Sequence, residues 1–179
     1  MAQDGQMAQD GRQNVVLILE LAIVVAMAGL LLLAAVGDVR HLRIPNWLVL
    51  AILALYPAHA LCLHLLGLTA APWWEGPALL AGAFVLALLV FQSGIMGGGD
   101  LKLMMVLAPW AGFALLPMFL IIVALGGGLV AVMVLMRQLL LVRDGGARAV
   151  LRAPVPYGVA IAGGGLYVAG QLILNALAQ

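Results

Sequence analysis

The sequence predicts an all-α polytopic membrane protein with about six transmembrane helices, and three observations carry that prediction. Hydrophobic residues make up 66% of the chain and charged residues only 8%. The mean hydropathy is +1.20, well above the range of soluble domains. The 179 residues hold about six helices of roughly 20 residues with short connections, which leaves no sizeable soluble domain. A polar tail over 1–14 is therefore expected to precede a single membrane domain over 15–179, and any chemistry has to sit inside the helix bundle. The lone Cys62 excludes an intrachain disulfide and a cysteine-based zinc site, and reads as packing. The net charge of +1 gives no reason to expect a nucleic-acid partner.

The tail repeats itself, Met1-Ala2-Gln3-Asp4-Gly5 and Met7-Ala8-Gln9-Asp10-Gly11, and is expected to be unstructured, with Met7 a second candidate start. The first span covers about Val15 to Val36, too long for a signal-peptide core and preceded by Arg12 as its only basic residue. Ala35-Val36-Gly37 fits a small-residue cleavage pattern, but the missing basic n-region favours a retained helix. Glu20 falls in its first turns, at the interface or facing the bundle. The connection Gly37 to Trp47 ends this helix and opens the next with Pro45 near its first turn.

Helix two runs to about Leu66 and carries His59 and His64. Five residues apart on a helix, they point about 140° away from each other, so they form no two-histidine metal face. Pro72, Trp73, Trp74 and Glu75 lie in a short loop suited to a headgroup belt. Helix three spans about Pro77 to Phe91. The apolar run from Leu101 to Met136 is too long for one span, and Pro109 and Pro117 suggest a break around Ala114 to Pro117. A basic connection with Arg137, Arg143, Asp144, Arg148 and Arg152 leads to the last span, about Pro154 to Ala178.

With six spans, the connections 1–2, 3–4 and 5–6 share one side. They and their helix ends hold Arg40, Arg43, Lys102, Arg137, Arg143, Arg148 and Arg152, seven of the eight basic residues. The positive-inside rule places these connections in the cytoplasm and the N terminus outside. Asp38 at the end of helix one and Asp100 at the start of helix four then share the cytoplasmic face. Asp4, Asp10, Glu20 and Glu75 belong to the outer side, and Asp144 is set among arginines.

Two carboxylates in one low-dielectric site do not ionise together easily, so they share a proton, one serving as base and the other as acid. This is what an aspartic protease requires: the ionised member deprotonates a water that attacks the peptide carbonyl, and the protonated member donates toward its oxygen. Such a site uses no cofactor and no metal. Three glycines, Gly97, Gly98 and Gly99, precede Asp100 and permit close approach of another backbone. Each aspartate also has an ordinary structural reading, Asp100 as a helix cap and Asp38 as an ion-pair partner of Arg40 or Arg43.

Asp38 followed by Ile44-Pro45-Asn46, and Gly97-Gly98-Gly99-Asp100 followed by Leu101-Lys102-Leu103, resemble the two signature segments of the type IV prepilin peptidases, the second being their GxGD motif. A third stretch, Pro154-Val155-Pro156-Tyr157-Gly158 through Gly163, is similar to the segment that opens the family's last helix. The resemblance implies a six-helix aspartic endopeptidase of the bacterial inner membrane that removes the basic leader from type IV prepilins at the cytoplasmic face. It makes Asp38 and Asp100 the catalytic pair. Gly97, Gly98, Gly99, Lys102, Ile44, Pro45, Asn46, Pro156, Tyr157 and Gly158 then shape the site or bind substrate. The chain lacks the cysteine-rich zinc segment of the long members and is closer to the short members serving tight-adherence (Flp) pili. No connection offers an evident nucleotide site for the methylation that long members also perform.

Two rival readings share some of these features. A presenilin-like protease shares GxGD, but no Tyr-Asp pair precedes it here and no Pro-Ala-Leu segment follows. A small transporter or pilus-assembly scaffold would use paired acids for protons or a cation, yet there is no internal repeat and both aspartates fall at helix ends.

Overall fold

The computed structural model describes residues 2–68, 71–94, 96–141 and 155–178, and every regular element among them is an α-helix. They are α1 (Ala2–His41), α2 (Asn46–Leu65), α3 (Glu75–Ser93), α4 (Gly98–Leu141) and α5 (Tyr157–Leu177). All five are long and apolar enough to cross a membrane. The polytopic all-α reading is borne out. The last connection, with Arg143, Asp144, Arg148, Arg152 and Pro154, lies outside the described residues.

α1 exceeds its expected bounds at both ends. Its backbone is already helical from Ala2, where the sequence reading expected an unstructured tail. Alanine, glutamine and methionine are good helix formers, and the apolar span behind them provides the nucleus from which the helix propagates. At the other end it continues through Gly37 and Asp38 to His41. Asp38 therefore lies in its final turns, on a rigid element.

α4 resolves the long apolar run. It breaks at Gly112, whose φ of 59° and ψ of 173° are not helical, rather than at Ala114 to Pro117. Glycine adopts positive φ without steric cost, whereas Pro109 and Pro117 stay inside the helical halves. Packing against α5 shows that the break is a reversal. Before it, Leu107 lies beside Gly165; after it, Phe119 and Val123 meet Gly164, Gly126 meets Ala160, and Gly127 meets Tyr157. The two halves therefore run antiparallel, giving six helical segments among the described residues. Glu75, in the first turn of α3, closes the turn: its Oε1 accepts a 2.6 Å hydrogen bond from the Phe113 amide, capping the returning half at its dipole-positive end.

α5 forms the centre of the bundle, packed on α1 and on both halves of α4. Its buried face is built from small residues, among them Gly158, Ala160, Gly164, Gly165 and Ala169, which let helices approach closely where lipid offers no hydrophobic drive. A Cβ at Gly165 would lie 2.7 Å from Leu31 Cδ1. Met27, Leu31, Leu48, Ile52, Leu103, Leu107, Trp110, Phe119 and Ile161 fill the core around it. α3 is peripheral and packs mainly on α4, with the Tyr56 ring of α2 lying against its Gly76.

Far from the Asp38 end, α1 and α2 are joined by a polar contact. Glu20 is 1% exposed and His59 3% exposed, and His59 Nδ1 hydrogen-bonds Glu20 Oε1 at 2.6 Å. The imidazole stacks on Trp110 with ring centroids 4.7 Å apart. Glu20 therefore faces the bundle rather than the interface, and His64 stands exposed at the other side of α2.

Candidate active site

Asp38 and Asp100 are 62 residues apart in sequence and line the same cavity of about 270 Å³, with Leu42, Arg43, Ile44, Asn46, Gly97, Gly98, Gly99 and Lys102. Each helix delivers its aspartate by a different local device. Asp38 rides on the C-terminal end of α1 and is 4% exposed. Its Oδ2 accepts a 2.7 Å hydrogen bond from the amide of Gly158, in the first turn of α5, where the helix dipole favours a carboxylate. Only glycine permits that approach, because a Cβ at position 158 would sit 2.7 Å from the same oxygen.

Asp100 is the third residue of α4 and not its cap; Leu101 N–H bonds back to the carbonyl of Gly97 across the first turn. The charge of Asp38 acts on Asp100 across the cavity they share. The three glycines contribute separately. A Cβ at Gly97 would lie 3.1 Å from Asp100 Oδ2, one at Gly98 3.3 Å from the Phe91 ring, and one at Gly99 3.5 Å from Ile44 Cβ. At each of the three positions the missing side chain lets a neighbouring residue of the protein itself, Asp100, Phe91 or Ile44, come close.

The connection between α1 and α2 forms the cavity's other wall. Leu42 Nα donates to the Asp38 carbonyl at 2.8 Å and adopts φ of 52°, a left-handed conformation that a branched side chain enters only at the expense of about 1 kcal/mol. Ile44 is buried against Gly99. Pro45 is the residue before the first turn of α2, with extended φ and ψ, and does not line the cavity. Asn46 Oδ1 accepts a 3.1 Å hydrogen bond from Lys102 Nζ, tying α2 to α4 at the rim.

Besides Pro45, two more expected site residues stand back from the cavity. Pro156 precedes the first turn of α5, and the Tyr157 ring packs toward Gly127; of that segment, Gly158 alone reaches an aspartate. Two others were missed as liners. Leu42 has no sequence signature for its left-handed backbone, and Arg43 carries in the sequence only an ion-pair and a topological reading. Among the described residues no ion pair joins Asp38 to Arg40 or Arg43. Among those same residues, no three His, Cys, Asp or Glu side chains gather as a metal site.

Two carboxylates on separate rigid helices, facing one cavity beside a glycine wall, can share a proton and hold a water against a peptide carbonyl. The comparison with family models decides between a protease and the other uses of such a pair. A model of the type IV leader peptidase family matches residues 25–132, more than half of the chain. The chain belongs to the type IV leader peptidase family. It is a protease, embedded in the membrane by several helices. No curated protein and no solved structure gives a match. The matched stretch of this leader peptidase contains both aspartates and the glycine segment, and ends before α5. The contact of Gly158 with Asp38 is accordingly read from geometry alone.

Proposed function

We propose that this leader peptidase cleaves the basic leader from type IV prepilins, of the Flp kind, with Asp38 and Asp100 as its catalytic pair. The single observation that supports this most is the shared cavity, which brings together the two acids of helices far apart in sequence. In the proposed reaction one carboxylate takes a proton from a water, whose oxygen bonds to the scissile carbonyl carbon. The other gives its proton to the carbonyl oxygen. When the tetrahedral intermediate collapses, the C–N bond breaks, the departing amine takes up a proton from the carboxyl that accepted one, and a hydroxyl of the intermediate returns a proton to the other carboxylate.

The positive-inside asymmetry supports a cytoplasmic site in the bacterial inner membrane, with the N terminus outside. The packing agrees with the parity this needs: Asp38, Gly99, Ile44 and Gly158 meet at one end of the bundle, while Gly112 and Glu75 meet elsewhere along α4. Co-expression with candidate prepilins from the same genome tests the reading. The expected result is a loss of mass equal to the leader. Unchanged prepilin beside accumulated enzyme would remove the proposed substrate.

A further inference from the structure

A second and larger cavity, of about 710 Å³, opens from the first and shares Asn46, Gly98, Gly99 and Lys102 with it. It is a cleft between α2 and α3 with α4 as its floor. Leu50 and Leu53 stand on one wall, Phe84 and Leu88 on the other, and Met105 on the floor. The walls meet beyond the cleft, where the Tyr56 ring of α2 lies against Gly76 of α3, while along the cleft Leu50, Phe84 and Leu88 are exposed. Between that contact and its rim the cleft is thus open sideways to lipid. On α2 its residues are Asn46, Val49, Leu50 and Leu53, and on α3 Phe84, Ala87, Leu88 and Phe91. Both sets follow the i, i+3, i+4, i+7 spacing of one helix face, so the cleft runs along the helices for about two turns.

From this continuity we infer that the cleft seats one apolar transmembrane helix of the substrate. The inference rests on the proposed peptidase function and adds to it a place for the part of the substrate that is not cut. A peptide bond inside a helix is shielded by its own hydrogen bonds, so the scissile bond has to lie beyond the helix end, in extended chain. The cleft supplies that transition. Its inner stretch is apolar, and at the rim it gives way to Asn46 and Lys102 and to the glycines Gly98 and Gly99, over which an extended backbone reaches Asp38 and Asp100. A substrate helix entering from the bilayer needs no hinged lid to reach this site.

The test uses the full chain with Asp100→Asn, which retains substrate uncut. A benzophenone amino acid is incorporated at Leu53, Leu88 or, as control, Met133, which is 55% exposed on the returning half of α4 and lines neither cavity. After co-expression with a tagged prepilin and irradiation, adducts with prepilin are expected from positions 53 and 88 and not from 133. In the otherwise unaltered enzyme, Ala87→Trp fills the cleft and is expected to lower kcat/KM for membrane-inserted prepilin about tenfold, the equivalent of roughly 1.4 kcal/mol. Adducts of equal strength from all three positions, adducts only with a second copy of this chain, or none from 53 and 88 would overturn the inference. Cleavage by the unaltered enzyme is scored separately. Cleavage without adducts removes the cleft and leaves the peptidase, whereas adducts without cleavage remove the peptidase and leave the cleft.

Discussion

The main-chain amide of Gly158 donates a 2.7 Å hydrogen bond to Oδ2 of Asp38. That bond ties the first turn of α5 to the last turns of α1 and holds the Asp38 carboxylate in place. Gly158→Ala forces a Cβ to within 2.7 Å of that oxygen, so either the helix or the carboxylate moves. Displacement of a catalytic group by about 1 Å costs on the order of 100-fold in rate. Prepilin processing by Gly158→Ala is expected to fall by about that factor while the protein still accumulates in membranes, as followed by immunoblot. Processing at the unaltered rate would show that the contact does not position Asp38.

Gly99 offers a graded test of the glycine wall. A single Cβ there meets Ile44 at an ordinary contact distance of 3.5 Å, so Gly99→Ala is expected to keep measurable cleavage. Gly99→Val adds two γ-methyls at the wall of the cavity that holds both aspartates, and is expected to abolish it at normal abundance. If the valine variant cuts prepilin as fast as the alanine variant, the stretch serves only as a connection.

The turn at Gly112 predicts effects on stability alone. Gly112→Ala places a β-carbon on a φ of 59° and 3.0 Å from Glu75 Oε1, and Glu75→Ala removes the cap from Phe113. Loss of such a cap costs typically about 1 kcal/mol. Both variants are expected to aggregate at lower temperature in detergent, with kcat for prepilin unaltered in the surviving fraction.

Glu20 and His59 form a buried pair, and removing one member leaves the other unsatisfied, which costs about 1–3 kcal/mol. Glu20→Ala and His59→Ala are each expected to lower thermal stability. Because the two touch, the double variant is expected to lose less than the sum of the singles. Additive losses would mean that the two side chains contribute independently.

The basic asymmetry predicts topology. A cysteine placed within 143–152 is expected to react with an impermeant maleimide only after the inner membrane is opened. Labelling from the periplasm would reverse the orientation.

Much of this was legible in the sequence because membrane spans are written in long apolar runs and in the side on which Lys and Arg fall. The parity argument alone put Asp38 and Asp100 at one face, and the cavity they line agrees with it. Finer features were hidden for definable reasons. Pro109 and Pro117 looked like the helix breakers, but a reversal needs a positive φ, and only Gly112 among those candidates adopts one readily. Leu42 takes a left-handed backbone that its residue type does not announce. Gly158 acts through its amide and its missing side chain, and neither shows its partner until α5 is packed against α1. Glu20 and His59 are 39 residues apart, and no local pattern links them.

The central claim is that Asp38 and Asp100 act as one unit, and substitution by asparagine tests it most directly. Asparagine keeps the size of the side chain and can accept the Gly158 hydrogen bond, but it cannot exchange a proton. Membranes holding Asp38→Asn or Asp100→Asn at normal enzyme levels are to be incubated with prepilin and the products weighed. The account predicts intact prepilin for each single variant and no further loss in the double variant, as expected of residues that work together. Mature pilin released by Asp100→Asn would contradict it.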